Sequence, residues 1–135
     1  MIIAGGYGTR LYPLTLNRPK SLLPFLDRPL IEYQMDIARE AGCERIFAAT
    51  GHLGADIRAY AHSSSIDVHL IEEEEPLDTG GAVALALRST RLQPPVLVFN
   101  GDIVCDLAPR SLVATHERTT GWLTIVAAEV LDALH

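Results

Sequence analysis

The chain has 135 residues, 48% hydrophobic and 21% charged, which gives one compact domain with a real core and excludes a disordered chain. Its formal charge of −6 excludes broad nucleic-acid binding, whose affinity comes from Lys and Arg neutralising phosphates. No apolar run is long enough to span a bilayer, MIIAGG lacks the charge and length of a secretory signal, and Cys43 and Cys105 form no CxxC. The expectation is a cytoplasmic protein with reduced cysteines, no membrane contact and no zinc site.

Residues 2–4 read as a short strand, and Gly5, Gly6, Tyr7, Gly8 and Thr9 then form a glycine-rich turn with Arg10 and Lys20 just beyond it. Glycine accepts positive φ without a Cβ clash, so the N–H groups of such a turn can converge on an anion that nearby cations then hold. Arg10, Arg18, Lys20 and Arg28 make this segment basic, while Glu72 to Glu75 concentrate negative charge elsewhere. That asymmetry suits a small anionic ligand. Taken alone, the turn is equally compatible with a ligand-free connection. It lacks the P-loop pattern, and Leu11 stands where a dinucleotide fingerprint needs its third glycine.

A helix is predicted over 29–41, with proline near its start, Gly42 past its end and Leu30, Ile31, Met35 and Ala38 at helical spacing. Strand 45–50, helix 53–62, strand 66–71, helix 82–89, strand 96–99, helix 109–118 and a last strand over 122–130 follow. Alternation with nearly all-apolar strands predicts an α/β fold, a three-layer αβα Rossmann-like doubly wound sheet, mostly parallel. Ligands of such sheets bind beyond the carboxyl ends of the strands, which predicts that the glycine turn and Asn100-Gly101-Asp102 are neighbours. Asn-Gly is also the strongest short hairpin signal, and would here join 96–99 to residues 103–104. Thr79-Gly80-Gly81 before an Ala-rich helix reads by itself as a cap with a flexible entry. Glu72 to Glu75 read as a solvated loop without a role, the five histidines share no ligand spacing, and Tyr7 and Tyr12 read as packing residues.

The string from Gly5 to Thr15, with Arg18-Pro19-Lys20 and Leu23-Pro24, closely resembles the signature of the sugar-1-phosphate nucleotidylyltransferases. The resemblance continues through Glu75-Pro76-Leu77-Asp78-Thr79-Gly80-Gly81 and Asn100-Gly101-Asp102, and is strongest toward mannose-1-phosphate guanylyltransferases. It implies transfer of a nucleoside monophosphate from an NTP, GTP favoured, to a sugar 1-phosphate, with Mg2+ as cofactor and pyrophosphate released. By the same resemblance Gly5, Gly6, Gly8 and Thr9 hold the nucleotide, and Arg10 grips the triphosphate and the leaving pyrophosphate. Lys20 neutralises the α-phosphate, Pro76, Thr79 and Gly80 meet the base, and Asp102 binds magnesium. The chemistry agrees, because one anionic phosphate attacks another only where cations offset their repulsion. Arginine suits a bidentate grip on phosphate and lysine a point charge.

The base-side loop departs from a common form by carrying Asp78 where Gly is frequent and Gly80 where Ala is frequent, which leaves the base open. Thymidylyl or uridylyl transfer to glucose 1-phosphate, and a non-catalytic NTP-binding fragment, are the alternatives. The resemblance covers only the nucleotide-binding part of the family's domain, over residues 1–135, without the sugar-phosphate half. A truncated C-terminus and an uncovered sheet, prone to self-association as a homo-oligomer, are therefore expected.

Overall fold

A computed structural model describes residues 1–127. Six short strands and four helices follow one another as β1 (Ile2–Ile3), β2 (Pro24–Phe25), β3 (Arg28–Pro29), α1 (Leu30–Glu40), β4 (Phe47–Thr50), α2 (Gly54–Ser63), β5 (His69–Glu72), α3 (Asp78–Thr90), β6 (Phe99–Asn100) and α4 (Pro109–Arg118). Four of the strands make a wholly parallel sheet in the order β5-β4-β1-β6. Ile2 lies opposite Ala48 on one side and Phe99 on the other. The chain thus runs outward from β1 to β5 and then returns to add β6 on the far side of β1. The reversal between β1 and β6 is the switch point at which open α/β sheets leave a crevice.

Alternation along the strands divides the core into two layers. Ile2 and Ala48 pack with Ile31, Met35 and Ala38 of α1 and Ile57 of α2. Met1, Phe47, Ala49 and Ile71 face the other way, onto Ala82 and Ala86 of α3. Helices therefore cover both faces, and the three-layer α/β architecture is as expected. Ala48, Ala49, Ala82 and Ala86 are all fully buried, and their small side chains let helix and sheet approach closely.

Helix α4 begins and ends where expected, with Pro109 in its first turn. Helix α1 starts one residue later than expected because Pro29 serves as its N-cap. Helix α2 starts at Gly54 because Leu53 sits at φ 57. Helix α3 corrects the expected start at residue 82: it begins at Asp78 and takes in Thr79, Gly80 and Gly81. Strands β4, β5 and β6 are shorter and shifted toward the carboxyl side relative to 45–50, 66–71 and 96–99. The two-residue hairpin of β2 and β3 was not anticipated. Its turn places Leu26 at φ 56 without a glycine or asparagine to announce it. The last strand, expected over 122–130, is absent from residues 122–127, where Trp122 is fully exposed; the remainder lies outside the described residues. No described helix is long and apolar enough to cross a membrane.

Candidate functional site

The glycine turn leaves β1 at the switch point, and its backbone donors are unspent. Ala4 N–H still bonds to Ala49 O at 2.8 Å, and Leu11 N–H closes on Gly8 O at 2.9 Å. Between them, the N–H groups of Gly5, Gly6, Tyr7 and Gly8 donate to no backbone carbonyl among the described residues. Four such donors in succession at a strand end are available to an anion.

The glycines serve different needs. Of the three, only Gly8, at φ 64, uses the left-handed region that glycine makes available. At Gly5 a methyl group would stand 2.9 Å from Glu73 Oε1 and would push that carboxylate aside. Gly6 has open space around it. Buried Thr15, quoted in the motif without a role, donates from Oγ1 to Gly8 O at 2.8 Å and so fixes the exit of the turn.

Lys20 opens a 3-10 turn, Lys20–Leu22, that brings its stem against the glycine turn, with Cβ 3.2 Å from a methyl built at Gly8. Its Nζ donates to Asp102 Oδ2 in an ion pair between motifs 82 positions apart. The expected meeting of the two motifs is therefore present. Among the described residues no strand returns after Asn100, so the hairpin joining 96–99 to 103–104 is overturned: Gly101 N–H bonds to Ile3 O at 2.8 Å in parallel register instead. Buried Gln34 of α1 donates from Nε2 to Ile103 O, which fastens the segment carrying Asp102. Arg10 lies in the 3-10 turn Thr9–Leu11, exposed, and forms no ion pair among the described residues.

Pro76, Thr79 and Gly80 are exposed around the start of α3. Glu73 joins them to the glycine turn: its Oε2 accepts from Leu77 N–H at 3.3 Å, while its Oε1 is buried without a hydrogen-bond partner. A buried, unpartnered carboxylate oxygen is costly and calls for a donor. The expectation that Glu72 to Glu75 form a solvated loop is corrected at Glu73, one of whose oxygens is buried. Four consecutive carboxylates carry no signal as to which one turns inward.

No group of three or more His, Cys, Asp or Glu side chains among the described residues could hold a metal by itself. Asp102 is one hard oxygen donor beside a basic turn. That fits an ion of the magnesium type, which takes one or two carboxylates and completes its shell with phosphates and water.

The family model of nucleotidyl transferases matches residues 1–134. The chain belongs to this family. A mannose-1-phosphate guanyltransferase of Pichia angusta is 38% identical over 136 residues, covering 96% of this chain and 37% of that protein. The catalytic subunit beta of mannose-1-phosphate guanylyltransferase from Drosophila pseudoobscura pseudoobscura is 34% identical, with 96% and 36% covered. This nucleotidyl transferase chain thus spans little more than a third of the length of these relatives. Among solved structures it is similar to HddC from Yersinia pseudotuberculosis complexed with GMP-PN, with TM-score 0.72, 28% identity, and 84% of this chain and 52% of that chain covered. A UDP-glucose pyrophosphorylase complexed with UDP-glucose superposes with TM-score 0.71 at 25% identity, over 87% of this chain and 52% of that chain.

Proposed function

We propose that this chain forms the nucleotide half of a sugar-1-phosphate nucleotidylyltransferase, which transfers a nucleoside monophosphate from an NTP to a sugar 1-phosphate and releases pyrophosphate. The observation that carries the reading is the set of four unspent amides at the sheet's switch point, with Lys20 and Asp102 beside them. In this reading Gly5, Gly6, Gly8 and Thr9 cradle the triphosphate, and Arg10 swings from solvent onto the oxygens that leave as pyrophosphate. Lys20 exchanges its partner Asp102 for the α-phosphate. Asp102, so released, would hold Mg2+, and that ion would supply positive charge to offset the phosphates' repulsion. No protein nucleophile is needed, because positioning and charge neutralisation supply the catalysis.

For the base, Pro76, Thr79 and Gly80 form the rim and Glu73 supplies selection. Guanine offers two adjacent donors, N1–H and the 2-amino group, to a carboxylate. Uracil and thymine offer a single N–H flanked by carbonyl oxygens that a carboxylate repels. GTP is therefore the favoured nucleotide, and the mannose-1-phosphate guanylyltransferase names of the relatives support mannose 1-phosphate as acceptor.

Calorimetric titration with GTP, dTTP, UTP, CTP and ATP in magnesium, followed by pyrophosphate release on adding mannose 1-phosphate, tests this. Tightest binding of GTP with release supports the full reading. Binding without release makes the chain a nucleotide-binding module, and no binding of any NTP overturns it.

A further inference from the structure

Tyr7 is the only non-glycine side chain between Gly5 and Thr9, and it does not hang free. Its ring stacks on His52, with centroids 4.7 Å apart and planes 30° from parallel. His52 belongs to the short connection between β4 and α2. That connection is pressed against the glycine turn by its backbone as well, since a methyl built at Gly51 would stand 3.1 Å from Gly5 O. The next residue, Leu53, is held at φ 57, a left-handed conformation that a branched aliphatic side chain rarely takes. Gly54 N–H closes the bend onto Gly51 O at 3.0 Å. Strain of this kind persists only where the surroundings impose it, and it gathers at binding sites.

We propose that His52 is a positioning residue for the nucleotide: its ring clamps Tyr7 and so holds the Gly5–Gly8 amides in their anion-binding arrangement before any ligand arrives. The proposal rests on the nucleotide reading given above. Thr15 and Lys20 hold the Gly8 end of the turn, but Gly6 has no neighbour within 4 Å of where a Cβ would be, so the Tyr7 ring is the side chain that can restrain the stretch before Gly8. Without the stack, the ordering of these residues is charged against binding, and affinity falls by that amount. His52 acts here through its flat ring and not through its proton, because Tyr7 offers it a face.

The test compares His52→Ala, His52→Phe, Tyr7→Ala and the double variant Tyr7→Ala/His52→Ala with the parent chain. Three quantities are measured: calorimetric affinity for magnesium-GTP, thermal unfolding, and NMR exchange rates of the Gly5 to Gly8 amides without nucleotide. An offset aromatic stack has the strength to alter affinity about two- to tenfold. H52A and Y7A are each expected to bind GTP that much more weakly and to exchange the turn amides faster, with unfolding temperature little changed. H52F is expected to restore both, and the double variant to be no worse than either single one. Parent-like binding by H52A, failure of H52F to rescue, or additive losses in the double variant would overturn the clamp. Should the parent itself bind no nucleotide, the functional reading fails separately, and amide exchange still decides whether His52 orders the turn.

Discussion

Lys20 and Asp102 meet as an ion pair across the crevice between β1 and β6. Their side chains remain 25% and 33% exposed, so the pair adds only about 0 to 1 kcal/mol to folding. In the function proposed above, each partner is a charge that a bound magnesium-nucleotide would take over. Lys20→Met and Asp102→Asn are expected to unfold within about 1 kcal/mol of the parent in urea. K20M should weaken GTP binding at least about tenfold, the scale of a lost charge-assisted contact. D102N should instead remove most of the magnesium dependence of that binding. Titrations with and without magnesium check both.

Glu73 offers a sharper test of base choice. Glu73→Gln replaces an acceptor-only group by one that both donates and accepts, a change suited to uracil or thymine as well as guanine. The expected result is a fall of about tenfold in the preference for GTP over UTP, with the sum of their affinities changing less. Competition binding measures the ratio directly, and an unchanged ratio would remove Glu73 from base selection.

Gly101 is buried, and a methyl group there would lie 2.8 Å from Ile3 O and 3.2 Å from Ile2 Cγ2. Backbone cannot step aside as a side-chain tip can. Gly101→Ala is expected to destabilise the fold by about 1–3 kcal/mol through overpacking at the β1–β6 pair. Met35, 1% exposed in the α1 core, sets the comparison: Met35→Ala should cost about 2–5 kcal/mol by leaving a cavity. Equilibrium denaturation gives both values.

Tyr60 introduces a pH dependence. Burial, and then its hydrogen bond to Glu32, raise the phenol above its usual ionisation range. The folded state therefore favours the neutral ring, and the unfolded chain ionises first. Stability from this group is complete below about pH 10 and is lost as pH rises from there through the folded value. Tyr60→Phe should flatten that alkaline decline, as followed by urea midpoints between about pH 9 and 11.

The two glycines of α3 are expected to respond in opposite directions. Gly80 has open space where a Cβ would go, so Gly80→Ala should stabilise by up to about 1 kcal/mol through helix propensity. At Gly81 a methyl group would stand 2.7 Å from Leu77 Cβ, so Gly81→Ala should destabilise by about 1–3 kcal/mol. Thermal unfolding of the two variants distinguishes them.

These glycines also show where the sequence was legible and where it was not. Pro109 and the apolar spacing of Leu30 to Ala38 are local signals, so α4 and the body of α1 could be read directly. Thr79-Gly80-Gly81 looks like a flexible entry because glycine disfavours helix. The need of Gly81 for close packing on Leu77 exists only in three dimensions. Leu26 and Leu53 at positive φ leave no mark in the sequence, since their residue type argues against that conformation. The meeting of the glycine turn with Asp102 was foreseeable from strand order, because both follow parallel strands. The inward turn of Glu73 and the Tyr7–His52 stack were not, for each depends on how two loops settle against one another.

Asp78 takes up the same theme at the start of α3. It sits at φ 54, where a glycine would be at ease, and two residues later Gly80 stands inside a helix that would accept alanine. Both substitutions loosen the same first turn of α3. A rim that yields this readily is a poor gauge of outline, so the proposed function requires nucleobases to be told apart by which hydrogens they present to an oxygen, not by whether they fit a mould.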